Sequence, residues 1–319
     1  MTLAKYRHAL PQMGDGIFLT DGGLETTLVF HRGLDLPHFA AFGLLRTEAG
    51  RAELARYYAP YVEIAKRDGR GLVLDTATWR SNSDWGATLS YSPEELDAVN
   101  AEAVDFIRAI RDAEETPALP MVLNGVLGPR GDGYAPDNYM TADEAEAYHA
   151  RQVSVFAAAG ADMVSAITMS YLEEGLGIAR AAKAAGMPVA ISFTVETDGR
   201  LRTGMSLGEA IEACDAGTEG YAAYYMVNCA HPTHFRDVLS GGDWLMRIGG
   251  IRANASKMSH AELDEAPELD DGDPAELGRD YRELMRLLPS LRVLGGCCGT
   301  DHRHIGAISH ACGDHAHAA

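Results

Sequence analysis

Eight short apolar runs, each followed by a longer amphipathic stretch, repeat from one end of this chain to the other. The runs lie at 17–21 (IFLTD), 71–76 (GLVLDT), 121–125 (MVLNG), 162–168 (DMVSAIT), 188–195 (PVAISFTV), 223–229 (AYYMVNC), 245–251 (LMRIGGI) and 292–297 (RVLGGC). They are nearly continuous in apolar character rather than strictly alternating, which suits strands covered on both faces. Helical patterns fill the intervals at 47–68, 92–115, 141–159, 172–185, 206–216, 231–239, 274–288 and about 301–312. Several carry their own start and stop signals. Ser92 precedes Pro93, a cap followed by proline at the first helical position. Thr141 with Glu144 reads as a capping box, and Gly160 closes that helix. Gly217 is read the same way after 206–216. Eight strand–helix units are the count of a (β/α)₈ barrel, the TIM barrel of the α/β class. A doubly wound open sheet is the runner-up, because periodicity does not report closure. No Pro/Ser-rich linker divides the chain, so residues 1–319 are read as one domain, with 302–319 as a C-terminal helix and a His-rich tail. The acidic, turn-rich stretch 255–273 reads as a solvated surface loop.

With 46% hydrophobic and 23% charged residues in 319, the chain has enough apolar surface to build a core without disulfide support. Its formal net charge of −19 opposes non-specific binding to nucleic acid or to an anionic membrane surface. No run approaches about 18 apolar residues, so no membrane span is expected. The first residues lack the apolar core of a secretion signal, and the expected location is the cytoplasm. Five cysteines, an odd number, argue against a disulfide framework. A homo-oligomer is left open.

On the barrel reading, three chemically distinctive segments fall at strand C-termini, where this fold places its active sites. They are Asp21-Gly22-Gly23 after the first strand, Asn228-Cys229 after the sixth, and Gly295-Gly296-Cys297-Cys298-Gly299 after the eighth. Three thiols converging on one mouth suit Zn²⁺, with a fourth coordination position left for substrate. The flanking glycines would let the backbone leave strand geometry, so that two adjacent cysteines serve one metal. Two buried apolar thiols are the alternative for a bare Cys-Cys pair. A centre with three thiolates is a poor Lewis acid for hydrolysis but is suited to holding a substrate thiol as a nucleophilic thiolate.

These segments resemble the homocysteine S-methyltransferase family of zinc-dependent barrel enzymes. The resemblance rests on Asp21-Gly-Gly-Leu-Glu-Thr-Thr-Leu28, Asn124-Gly-Val-Leu-Gly-Pro129, Gly199-Arg-Leu-Arg-Thr-Gly204, Val227-Asn-Cys-Ala-His-Pro232 and Gly295-Gly-Cys-Cys-Gly-Thr300, continuing to His304-Ile305. It implies Cys229, Cys297 and Cys298 as zinc ligands, and a small-molecule thiol acceptor that attacks an activated methyl group. It also implies a sulfonium or betaine-type methyl donor and places Asp21 near the acceptor's amino group. The family usually carries a glutamate followed by threonine at the end of the fourth strand. An ungapped placement puts Ala166 at that glutamate, with Glu173 and Glu196 as the nearest substitutes. A different thiol or donor is therefore the second expectation, and a non-catalytic zinc- or thiol-binding protein the third.

Other residues have bland alternatives. Gly22 and Glu25 join Asp21 as candidate substrate contacts, although an acidic residue at a helix start also favours the dipole. Trp79 is a candidate for cation–π contact with a donor, or for packing. Asn228 is a candidate for orienting the site, or for a strand-end hydrogen bond. Cys214 reads as core and Cys312 as a bystander. His302, His304, His310, His315 and His317 could form a second metal site in the tail, although such segments fray. Asn124-Gly125 and Gly128-Pro129 lack the signature of a phosphate loop and read as a turn.

Overall fold

The computed structural model describes residues 4–134, 136, 138–266 and 268–313. Eight parallel strands close into a barrel in chain order. They are β1 (Phe18–Leu19), β2 (Gly71–Asp75), β3 (Met121–Leu127), β4 (Met163–Met169), β5 (Val189–Phe193), β6 (Tyr224–Asn228), β7 (Ile248–Ala253) and β8 (Val293–Gly296). Closure is made by β1, which pairs with both β2 and β8. The open-sheet alternative is thereby excluded.

The helices are α1 (Leu24–Thr26), α2 (Glu48–Asp68), α3 (Ser83–Thr88), α4 (Pro93–Glu114), α5 (Ala142–Ala159), α6 (Leu172–Ala184), α7 (Leu207–Thr218), α8 (Pro232–Phe235), α9 (His260–Glu265), α10 (Pro274–Leu287) and α11 (His302–Ala311). Ser92 caps α4 as expected, in a capping box with Glu95; the expected capping box forms at Thr141/Glu144, and Gly160 closes α5 in the left-handed region. Gly217 does not close α7. That helix runs to Thr218, and Glu219 takes the left-handed cap. A Cβ on Gly217 would stand 2.7 Å from Leu176 Cδ1, so glycine there serves close helix packing. Among the described residues no helix is long and apolar enough to cross a membrane.

Side-chain alternation along the strands sorts residues into two layers. Phe18, Val73, Val122, Met163, Tyr224 and Val293 belong to a cluster inside the barrel. Leu72, Leu74, Leu123, Val164 and Val227 face the helices instead. One step further toward the strand C-termini the interior turns polar, with Asp75, Asn124, Ser165, Ser192, Asn228 and Arg252 all buried. That polar layer is the floor of the mouth.

Two expectations are corrected here. β1 is only two residues long, although hydrogen bonds to the β8 segment run on from Thr20 N–H to Leu294 O and from Gly296 N–H to Asp21 O, which holds Asp21 at the mouth. The stretch 255–273 is not simply a solvated loop. Ser259 and Glu262 form a capping box that starts α9, and both Ser256 and His260 are buried. The acidic composition hid a segment that folds inward at its N-terminal half.

Candidate metal and substrate site

Cys229, Cys297 and Cys298 meet at the mouth, with one sulfur from each lying within 4.8 Å of the others. Cys229 follows β6 and has φ +53°, a left-handed conformation that is uncommon without glycine. Cys297 donates its backbone N–H to Ala253 O at 2.8 Å, just past the end of β8. Glycines let this segment approach its neighbours. A Cβ on Gly23 would stand 2.6 Å from Cys297 O, and side chains at Gly295 and Gly296 would run into Thr20 and Thr300. The departure from extended geometry expected beside the two cysteines comes at Gly299, at φ +78°.

Cys229 and Cys297 are paired as a disulfide, with Cα atoms 5.4 Å apart. Cys298 Sγ lies 4.0 Å from Cys229 Sγ. The odd cysteine count therefore did not exclude a disulfide: thiols gathered closely enough to share a metal are also close enough to join each other. The donor set fits a metal. Tetrahedral coordination with bonds of about 2.3 Å places its sulfurs about 3.8 Å apart, close to the 4.0 Å between Cys229 and Cys298; Cys229 and Cys297 would serve a metal once reduced, and three protein ligands leave one position open. Among the described residues this is the only group of His, Cys, Asp or Glu side chains with such convergence.

Each sulfur has a polar neighbour. Thr168 Oγ1 donates to Cys229 Sγ at 3.7 Å, Asn228 Nδ2 to Cys297 Sγ at 3.8 Å, and the Tyr134 hydroxyl lies 3.7 Å from Cys298 Sγ. Asn228 is fully buried, and its amide is fully used. Its Oδ1 accepts from Thr168 N at 2.9 Å and Ser192 Oγ at 2.6 Å, while Nδ2 also donates to Thr168 Oγ1 at 2.8 Å. The Tyr134 ring stacks on His260 with centroids 4.0 Å apart. His260 reaches the Cys229 carbonyl at 2.7 Å, so α9 is tied to the site. Neither Thr168, Tyr134 nor His260 was identified from sequence. Capping-box spacing at Ser259 and Glu262 is the signal available for His260; it would place a helix start there without showing which way the helix faces.

Asp21 does not present a free carboxylate. It is ion-paired with Arg252, and Tyr57 donates to it at 3.0 Å. Arg252 also pairs with Asp75, and its Nε donates to Gly296 O at 3.1 Å. Asn124 completes the layer by donating to Asp75 Oδ1 at 2.6 Å and Ser165 Oγ at 2.7 Å, which gives it a structural part rather than a phosphate-binding one. Gly22 packs against Thr300, and its carbonyl accepts from Tyr57 at 3.0 Å. The Glu25 carboxyl accepts a hydrogen bond from its own backbone N–H. Burial pushes its carboxyl up to about 7, and the Asp21 charge adds to the rise.

Trp79 walls the mouth. Its Nε1 donates to Ile167 O at 3.2 Å, and the Arg80 guanidinium lies 4.3 Å from its ring and 4.2 Å from that of Trp85. One aromatic face proposed for a donor is thus covered by Arg80. Ala166 is corrected. It faces the helical layer, because it alternates with Ser165 and Ile167, and Ile167 is the β4 residue of the inner cluster near the mouth. That position is apolar. The two carboxylates considered as substitutes are elsewhere: Glu173 is exposed on α6, and Glu196 pairs with Arg202 at 3.4 Å. Cys214 and Cys312 are buried bystanders. His304 is buried against Asp301 and Asp271, His302 and His310 are exposed, and His315 and His317 lie outside the described residues.

The homocysteine S-methyltransferase family model matches residues 18–312. The chain belongs to the homocysteine S-methyltransferase family. Its members' chemistry makes this an S-methyltransferase with small-molecule substrates, and a cysteine cluster at the mouth that could hold a metal is consistent with that membership. Among solved structures, the chain is similar to the homocysteine methyltransferase MmuM from Escherichia coli. The oxidized form matches with TM-score 0.73 at 21% identity, covering 95% of this chain and 98% of that one. The metallated form matches with TM-score 0.71 at the same identity and coverage. At this identity the likeness shows the shared barrel fold.

Proposed function

We propose that the chain is a zinc-dependent enzyme that moves a methyl group from a sulfonium or betaine-type donor to a small-molecule thiol, most simply homocysteine to give methionine, in the cytoplasm. The observation that carries this reading is the convergence of Cys229, Cys297 and Cys298 at the strand C-termini. Zinc held there would lower the pKa of an acceptor thiol and keep it as a thiolate. The chain's own residues align the reactants. The glycines that follow β1 and those that end β8 bring the first loop against the cysteines, and the Asp21–Arg252–Asp75 bridge stiffens the floor. Trp79 and Ile167 supply an apolar wall on one side. Holding the two reactants in line lowers the entropic part of the barrier.

A second reading keeps this chemistry and changes the acceptor. It is favoured by two observations: Asp21 is occupied by Arg252, and the inner β4 position is Ile167 rather than a carboxylate. Glu25 is then the carboxylate at the mouth left for an ammonium group. Methyl transfer measured across homocysteine and thiols lacking the amino-acid head, with sulfonium and betaine donors, tests both readings. Preference for homocysteine supports the first. Equal use of a simple thiol supports the second. No transfer with any pair overturns the proposal.

A further inference from the structure

Thr168 occupies a conformation that costs the fold something. It is a β-branched residue at φ +71°, in the left-handed region where such side chains are outliers. It sits in an irregularity of β4: between the pairs Ala166–Ile191 and Met169–Phe193, β4 advances by one residue more than β5. Bulges of this kind occur beside active sites, where they redirect a side chain. Here the bulge turns Thr168 toward β6. Asn228 then holds it at two points, accepting from its backbone N–H and donating to its hydroxyl oxygen. With the oxygen's acceptor role taken, the hydroxyl proton is directed at Cys229 Sγ, 3.7 Å away. Cys229 itself is left-handed, so two strained residues face each other across this contact.

We propose that Thr168 is a positioning residue for the metal centre: the β4 bulge and Asn228 aim its hydroxyl at Cys229 and so draw charge off that thiolate. A ligand relieved of charge donates less to the metal, which leaves the metal more able to acidify a thiol in the open position. Tyr134 stands in the same relation to Cys298 and Asn228 to Cys297, so each of the three sulfurs has a donor. The inference rests on the metal reading of the three cysteines.

The test uses the full chain, with the Cys229–Cys297 disulfide first reduced, loaded with Co²⁺, whose sulfur-to-metal charge-transfer band reports thiolate donation directly. Thr168→Val keeps the branched shape and removes the hydroxyl. Its band moves to lower energy. Thr168→Ser keeps the band of the native chain. Tyr134→Phe, outside the barrel strands, gives the same red shift through Cys298 if Thr168→Val does not fold. A native chain that takes up no cobalt overturns the metal reading, and this inference with it. A native chain with a full band that is unchanged in Thr168→Val or, where that variant does not fold, in Tyr134→Phe overturns this inference alone.

Discussion

Arg252 and Asp21, 231 positions apart in the chain, form a buried ion pair across the barrel mouth. The same guanidinium reaches Asp75, so one cation on β7 ties together the ends of β1 and β2. A pair this buried is held by geometry and hydrogen bonding rather than by charge attraction alone. It also fixes the part Asp21 plays, as a floor residue before it is a substrate contact.

Removing Arg252 leaves two carboxylates buried side by side. Arg252→Met should therefore lower stability by about 3–5 kcal/mol, read from the denaturant midpoint. A change well under that range would show that water or a rearranged partner already compensates both acids.

Glu25 gives a pH signature. Its carboxyl is raised from 4.5 to about 7 in the fold, so the folded state holds a proton that the unfolded state has lost across that interval. Stability contributed by this group is present below the unfolded value and declines as pH rises from about 4.5 to about 7. Glu25→Gln should flatten that decline, seen in melting temperature against pH. An identical slope in the variant would place the titration elsewhere.

Asn228 is a test of the polar floor. Asn228→Ala strips partners from Ser192 and from the Thr168 amide, and each buried group left unpaired costs about 1–3 kcal/mol. The expected outcome is a loss of stability with weaker metal retention, measured by melting and by chelator competition. Loss of neither would reduce Asn228 to filler.

Gly23 tests the approach of the two loops. The Cβ of Gly23→Ala would meet Cys297 O at 2.6 Å, pushing the first loop away from the metal segment. Zinc retention should fall although no ligand is changed. Unaltered retention would mean that the loops can part without disturbing the cysteines.

Much of this was legible from local signals. Continuous apolar runs with capped helices between them specify parallel strands and their order, and the Gly-Gly-Cys-Cys-Gly segment announces a strand end where the backbone comes close to its neighbours. Thr168 was not legible, because a bulge is a mismatch between two strands and leaves no mark in one of them. Arg252 was not singled out, since the seventh apolar run, 245–251, stops one residue short of it and its partners Asp21 and Asp75 stand at the ends of β1 and β2, far away in the chain. Ala166 was assigned to the mouth because side-chain direction depends on register, and a one-residue slip exchanges the two faces of a strand. His260 was hidden by its surroundings: an acidic, turn-rich composition describes the average exposure of a segment, not the one residue that turns inward.

The central claim is that Cys229, Cys297 and Cys298 hold one zinc ion that the transfer requires. Metal content and methyl transfer measured together in the native chain and in Cys297→Ser test it most directly. The account predicts one zinc per chain in the reduced native protein, with zinc and transfer both lost in the variant. A Cys297→Ser chain that keeps stoichiometric zinc and full transfer would contradict it.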